Sequence, residues 1–489
     1  MKKITHSHSL YSMINPSSIT LVGASNNLRS MGSVLLMSLR EAGYDGAMYP
    51  VHPKEDEVQS YRAYRSVTDL PEIPDLAVIV LPTAIVSKTL EQCGEKGIRN
   101  AIVISGGFKE VGGQGLKLEE ELVATAKKWG IRIIGPNCMG VVNPHHKMNT
   151  TTLAYEGRAG FVGLVSQSGS FVAQMFDYLN QLNLGFSTAI SVGNEALTDT
   201  VDWLEYLGTC PKTKVIALYI EGIKRGRAFI GMARSIVPHK PIVALYVGGS
   251  EGGRRAGLSH TGAMAGPDQL YESIFRQSGV LRADTLIEMF DFCLALGTLP
   301  LPNGNRVVVQ THSGGPGTAA ADACSRAGLD FTALSDYTRS KLSELVSATA
   351  SLNNPVDLTF QKNPQYYFKE IPEALIEDKN ADILMIYLIM PIKEIRRRLI
   401  QGDVSEENAV KLAEEMILAN AKTMADLLKR NNKPLIGYTW RNMAEEHPRA
   451  LLENGVPIFQ GPERAARAAA ALVKYKRLRE MFSARALKI

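Results

Sequence analysis

Ile19-Thr20-Leu21-Val22-Gly23-Ala24-Ser25 is a short, β-branched apolar run that stops on a small-residue turn. A run of this length with a glycine behind it reads as a buried strand handing over to a loop. Four similar handovers follow. Ala47–Val51 leads into His52-Pro53, and Leu76–Val80 into Pro82-Thr83. Ala101–Ile104 leads into Ser105-Gly106-Gly107, and Ile131–Ile134 into Gly135-Pro136-Asn137. Between them, Ser87–Gly94 and Leu116–Trp129 carry helical spacing. Strands alternating with helices predict βαβ units around a parallel sheet buried on both faces. The expectation is a Rossmann-like domain over residues 10–145.

The pattern then restarts. Phe161–Val165 runs into Ser166-Gln167-Ser168-Gly169-Ser170 and an apolar helix, Phe171–Leu182. Hydroxyls, free amides and a helix start together make an anion cradle. Strands are expected at Thr188–Val192, Val215–Ile220 and Ile242–Val247, the second ending in Glu221-Gly222. The stretch from Asn143 to Arg158 reads as a linker. A third restart, Arg306–Gln310 followed by Thr311-His312-Ser313-Gly314-Gly315-Pro316-Gly317, repeats the strand, Ser-Gly loop and small-residue helix. Later strands are expected at Ile383–Leu388 and Leu435–Tyr438, with a final helix over Glu463–Phe482. The fold class is therefore α/β: a Rossmann-like domain followed by two flavodoxin-like parallel-sheet domains, over residues 158–298 and 304–475.

The bulk numbers set limits on function. A chain of 489 residues implies about three domains. With 45% hydrophobic and 21% charged residues it has an ordinary globular composition. A net charge of +5, scattered along the chain, argues against a nucleic-acid partner. The five cysteines form no CxxC pair and read as reduced thiols of a cytoplasmic protein. No signal-peptide core and no membrane-length apolar run is seen, and the nine histidines include no HExxH, so neither membrane nor metal is expected.

One histidine stands apart: His260, in Arg254-Arg255-Ala256-Gly257-Leu258-Ser259-His260-Thr261-Gly262. An imidazole keeps a nucleophilic nitrogen near neutral pH, and small neighbours let a bulky anion approach it. By itself such a histidine is more often an idle loop residue. Here a carboxylate (Glu221) and an anion-binding helix start lie at strand ends expected on the same sheet edge. The first loop lacks GxGxxG, and the second strand ends with Lys54 nearby instead of the ribose-binding acid. Both weaken an NAD-dependent oxidoreductase and favour a phosphate-rich ligand.

Eight stretches carry a resemblance: Gly23-Ala24-Ser25, Gly106-Gly107-Phe108-Lys109-Glu110, Gly135-Pro136-Asn137-Cys138, Ser166-Gln167-Ser168-Gly169, Glu221-Gly222-Ile223, Ser259-His260-Thr261-Gly262, Gly314-Gly315-Pro316-Gly317 and Asn354-Pro355-Val356-Asp357. In order and spacing, from about Ile14 to Leu358, the chain resembles the ADP-forming acyl-CoA synthetases, the superfamily that includes succinyl-CoA synthetase, and among them the alpha subunit of acetate–CoA ligase. The resemblance implies a ligase that interconverts acyl-CoA, ADP and phosphate with carboxylate, ATP and CoA through an acyl phosphate and a phosphohistidine. It makes His260 the nucleophile and Glu221 the group orienting it. Ser168, Gly169, Ser170, Asn137 and Gly262 become phosphate ligands. Gly23, Ala24, Ser25, Lys54, Pro82, Ser105 and Gly106 become CoA contacts. It also implies that ATP or ADP and Mg²⁺ bind mainly on a separate ATP-grasp beta subunit, in an alpha2-beta2 assembly. Two departures stand out. The first loop has Arg29-Ser30 where the family usually has a lysine before the glycine, and His312-Ser313 precede the third-domain glycines. The alternative reading is a non-catalytic CoA-binding or regulatory protein that keeps the fold.

Overall fold

The computed structural model describes residues 8–255, 266–359, 361 and 363–486. The first sheet contains β1 (Ser18–Val22), β2 (Ala47–Val51), β3 (Leu76–Ile79), β4 (Asn100–Val103) and β5 (Arg132–Ile134). All pairs are parallel, in the order β2-β1-β3-β4-β5. β1, β3 and β4 are buried along their whole length, as strands covered by helices on both faces must be. The crossover helices Thr83–Lys96 and Gly113–Trp129 each stop at a left-handed glycine, Gly97 and Gly130. The first of them turns Val86, Leu90 and Cys93 inward, one apolar face at helical spacing.

The second sheet contains β6 (Val141–Asn143), β7 (Met148–Asn149), β8 (Val162–Ser166), β9 (Phe186–Ser191), β10 (Val215–Ile220), β11 (Ile242–Tyr246) and β12 (Leu281–Ala283). Its order is β12-β11-β10-β8-β9-β6-β7. β8 to β12 are parallel, whereas β6 runs antiparallel to both β9 and β7. This corrects the reading of Asn143 to Arg158 as a linker. Its first residues close the sheet edge, because Asn143 and Met148 are buried there, next to Val141 and Val142, and Asn143 donates to the Ile14 carbonyl at 2.8 Å.

The third sheet contains β13 (Arg306–Thr311), β14 (Asp330–Phe331), β15 (Val356–Asp357), β16 (Ile383–Tyr387), β17 (Leu435–Thr439) and β18 (Ile458–Gln460). The path is β14-β13-β16-β17-β18, with β15 also paired to β13. The parallel core of all three sheets follows one order, second-first-third-fourth-fifth. In each, the first strand lies where crossovers leave in opposite directions, and its carboxyl end is the natural ligand crevice.

The chain forms two compact units, the first carrying the first two sheets up to Asp284 and the second carrying the third sheet from Thr285 onward, with Gln181–Asn183. In the second unit the helices Leu286–Thr298 and Pro462–Ala486 are joined by Asp291 and Arg464. All five cysteines are free and buried. Among the described residues no helix is long and apolar enough to cross a membrane.

Candidate active site

At the carboxyl edge of the first sheet the backbone itself makes the surface. Gly23 sits at φ +111°, and a Cβ there would fall 2.0 Å from the Val80 carbonyl oxygen. A Cβ on Gly32 would fall 2.3 Å from the Gly23 oxygen, so loop and helix start approach as only glycines allow. Ala24 is fully buried beneath the turn. Ser25 is held by the Ser33 hydroxyl, which accepts from Ser25 N at 2.9 Å and donates to Ser25 O at 2.7 Å.

The segment after β2 closes over this loop through Glu55, whose Oε2 accepts from Asn26 Nδ2 at 2.5 Å and Asn26 N at 3.2 Å. Lys54 is exposed beside it, its own amide donating to His52 Nδ1 at 3.3 Å. A carboxylate therefore does follow the second strand, three residues beyond His52, and it holds the loop. Ser105 clips the ends of β3 and β4 together, accepting from Leu81 N at 3.0 Å and donating to Leu81 O at 2.6 Å. Pro82 precedes the helix Thr83–Lys96, and Thr83 donates to the Gly106 carbonyl at 2.6 Å.

Asn137 joins this edge to the second sheet. Its left-handed φ of +56° suits an asparagine, its amide donates to Ser105 O at 2.9 Å, and its Nδ2 donates to Asn194 Oδ1 at 3.3 Å. Gly106 packs on the same side chain: a Cβ there would lie 3.2 Å from Asn137 Oδ1. Asn194 in turn donates to Glu110 at 2.7 Å and to Glu119 at 2.8 Å. Glu110 accepts from Gly107 N at 2.6 Å and Phe108 N at 3.1 Å, so it shapes the Gly106-Gly107 loop. Burial pushes the Glu110 carboxyl up, but the Asn194 and backbone donors outweigh it and leave its pKa lowered.

The second sheet's edge is built on β8. Ser166 Oγ donates to Ser168 O at 2.7 Å and accepts from Ser168 N at 3.2 Å, turning the chain into the helix Gly169–Gln181. Gly169 lies against Met139, where a Cβ would come 2.6 Å from its Cγ. Ser168 and Gly169 are half-buried and Ser170 is exposed at the helix start. Gln167 reaches sideways to β10. Its Oε1 accepts from Glu221 N and Gly222 N, and its Nε2 donates to Gly222 O and Glu195 Oε2.

Glu195 is buried, and desolvation raises its pKa against the opposing effect of its Thr200 donors and the Lys224 ammonium. Lys224 has an exposed stem, but its ammonium turns inward to Asn194 O at 2.8 Å and Glu195 O at 2.7 Å. Desolvation, then the neighbouring Lys109 ammonium, push its pKa down to about 8.

The segment after β11 leaves and returns close together. A Cβ on Gly249 would meet Asp268 Oδ1 at 2.5 Å, and the Tyr246 hydroxyl donates to Gly266 O at 2.7 Å. Tyr246 and Tyr271 stack at 3.6 Å, and the Tyr271 hydroxyl accepts from Ile223 N at 3.3 Å, next to Glu221-Gly222. His260 and Gly262 lie outside the described residues. Their flanks are thus anchored beside the turn that carries Glu221.

The structure brings Ser105, Gly106 and Asn137 together, and it places Glu221 against the Ser166–Ser170 turn. After β2 it is Glu55 that bonds the first loop, at Asn26, while Lys54 stays exposed beside it. The sequence reading quoted Gln167 without giving it a role and missed Asn194, Glu195 and Lys224 altogether. The available signal was Gly193-Asn194-Glu195 immediately after a strand, where Gly193 must be glycine because a Cβ would meet Pro136 O at 2.3 Å.

Comparison with known proteins agrees with this geometry. Residues 17–144 match the CoA binding domain family, and residues 159–296 the succinyl-CoA ligase like flavodoxin domain family. The chain is 40% identical over 461 residues to acetate–CoA ligase (ADP-forming) II subunit alpha of Pyrococcus furiosus, covering 94% of this chain and 96% of that one. It is 35% identical to acetate–CoA ligase (ADP-forming) I of Archaeoglobus fulgidus, covering 95% of this chain but 63% of that longer one. Among solved structures, the dinucleotide-forming acetyl-coenzyme A synthetase 1 of Ca. Korarchaeum cryptofilum, in complex with phosphate and ADP, superposes with a TM-score of 0.87 at 33% identity, over 99% of this chain and 100% of that one. The chain belongs to the alpha subunits of the ADP-forming acyl-CoA synthetases, acid–thiol ligases that interconvert acyl-CoA, ADP and phosphate with carboxylate, ATP and CoA.

Proposed function

We propose that the chain forms the acyl phosphate and carries its phosphoryl group on His260, with acetyl-CoA as the first acyl-CoA to test. Phosphate attacks the thioester carbonyl, the C–S bond breaks, and CoA leaves as thiol. His260 then attacks phosphorus, the P–O bond to the acyl group breaks, and the carboxylate departs. ADP finally takes the phosphoryl group and regenerates imidazole. The observation that carries this reading is Asn137, which touches the Gly106 loop of the CoA-type edge and bonds through Asn194 to the phosphate-type edge. One amide at that junction serves a reaction in which phosphate must meet the end of CoA.

The first edge fits CoA: Gly23 and Gly106 leave bare backbone for close approach, Ser25 offers a hydroxyl, Pro82 and Ser105 border the path, and Lys54 supplies a cation. Ser168, Gly169 and Ser170 hold the phosphoryl oxygens, with the helix Gly169–Gln181 contributing its positive end, and Gly262 is assigned to the same group by the family resemblance alone. Glu221 orients the imidazole of His260 and balances the positive charge of the phosphorylated ring. ADP and Mg²⁺ are assigned to a separate ATP-grasp beta subunit. Support comes from the relative named a subunit alpha and from the longer Archaeoglobus chain. The setting is cytoplasmic, consistent with five reduced, buried thiols.

The test is the half-reaction with radiolabelled phosphate and acetyl-CoA, beside a His260→Ala control. Acid-labile, alkali-stable label absent from the control supports the assignment. Equal label in both proteins overturns it.

A further inference from the structure

We propose that Gln167 is the positioning residue of this site, fixing the Glu221-Gly222 peptide and tying it to the buried carboxyl of Glu195. The inference rests on the reading of Glu221 given above. All four hydrogen-bonding positions of the amide are engaged. Oε1 accepts from Glu221 N at 2.5 Å and Gly222 N at 2.9 Å; Nε2 donates to Gly222 O at 2.7 Å and Glu195 Oε2 at 2.9 Å. A side-chain amide has two acceptor and two donor places, so nothing is left over. Its orientation is fixed as well: turned over, the NH2 group would face two N–H donors and the oxygen would face a carbonyl.

The far end of the clamp is held as firmly. Glu195 Oε1 accepts from Thr200 N at 2.8 Å and Thr200 Oγ1 at 2.6 Å, while Lys224 grips the Glu195 carbonyl at 2.7 Å. A continuous line therefore runs from Thr200 through Glu195 and Gln167 to the residue that orients the nucleophile. Two consecutive amides converging on one point also form an anion-binding concavity. Gln167 fills it with a neutral oxygen, which keeps phosphate out of the turn carrying the Glu221 carboxylate.

The experiment compares Gln167→Met, Gln167→Glu and Glu221→Gln with the wild type. The readout is the rate of histidine labelling from acyl-CoA and radiolabelled phosphate, with the wild type's own labelling conditions, alone or assembled, used throughout. Gln167→Met keeps the length and removes all four bonds. Its labelling rate is expected to fall about 100-fold, the scale of a misplaced catalytic group, with the KM for acyl-CoA unchanged.

Gln167→Glu keeps an acceptor for both amides but sets a second carboxyl beside Glu195. Like charges that close do not both ionise, so at low pH a shared proton restores the clamp and at higher pH repulsion opens it. The charged groups facing Glu195 are Lys224, which favours its ionisation, and Asp199, which opposes it. The ratio of this variant's rate to the wild type's should therefore rise as pH falls.

A Gln167→Met protein labelling at the wild-type rate while Glu221→Gln does not would overturn the positioning role. So would a Gln167→Glu ratio that stays flat with pH, and this second readout remains decisive if Gln167→Met fails to fold. Normal labelling by Glu221→Gln would instead remove the reading of Glu221 and the clamp's purpose with it.

Discussion

Gly23 and Asn137 show how much of this site is decided by backbone conformation at single residues. At φ +111° an L side chain is strained before contacts are counted, and the Val80 oxygen 2.0 Å from the added Cβ belongs to the Val80–Leu81 peptide, whose Leu81 N donates to Ser105 Oγ at 3.0 Å. Gly23→Ala should cost about 1–3 kcal/mol in strain alone and push the loop off the CoA path. Titration with CoA should show at least a tenfold weaker dissociation constant; unchanged affinity would place CoA elsewhere. Asn137 separates conformation from chemistry. Asn137→Gly tolerates the left-handed backbone and removes only the amide side chain, so urea unfolding should change by less than about 1 kcal/mol. Phosphate labelling should nevertheless slow, whereas Asn137→Ala should lose both stability and rate.

At the scale of an element, the helix Thr200–Thr209 is tied to the site by its cap. Asp199 accepts from Val201 N at 2.8 Å, Asp202 accepts from Asp199 N at 2.9 Å, and Arg225 braces both carboxylates. Removing a cap of this kind costs about 1–2 kcal/mol, and Asp199→Ala should reach the upper end because Arg225 loses a partner too. Burial pushes the Asp199 carboxyl up, but the Arg225 guanidinium and the capped amides hold it lower on balance. Its stabilisation is therefore complete above the ordinary aspartate value of about 3.9 and disappears as pH falls through the lower folded value. Urea unfolding at a series of pH values should show a shallower acid limb in Asp199→Asn than in the wild type.

These elements also show what a sequence does and does not display. Apolar runs ending in glycine turns declared the strands and hence the parallel sheets, because burial on both faces leaves a continuous mark. Strand order left no such mark, since it depends on which way each crossover turns. Val141-Val142-Asn143 is too short to show periodicity, and its pairing with β9 emerges only once that strand exists. The role of Gln167 leaves no mark in the sequence around it because its three partner residues lie 28 to 55 positions away. Asn194 was hidden similarly, its carboxylate partners being 84 and 75 residues earlier.

At the scale of the molecule, the two compact units allow stability and ligand binding to be separated. In the second unit Arg464 binds Asp291 through two contacts of 2.7 Å, joining helices 173 residues apart in sequence. Asp291 is almost wholly buried and the Arg464 side chain is 24% exposed, so truncating the acid takes two charge-assisted bonds from a mostly covered guanidinium. Breaking such a pair costs about 3–5 kcal/mol, and the partial exposure of Arg464 puts Asp291→Ala near the lower figure. CoA acts on the other unit, where the first sheet's edge lies. A ligand at a hundred times its dissociation constant stabilises the state that binds it by about 2.7 kcal/mol. That increment should be the same in Asp291→Ala as in the wild type, because the edge proposed for CoA lies within the first unit. Unfolding measured with and without CoA in both proteins tests this. Equal increments would show that the CoA edge stands on the first unit alone, whereas a smaller increment in the variant would mean that its geometry depends on the second.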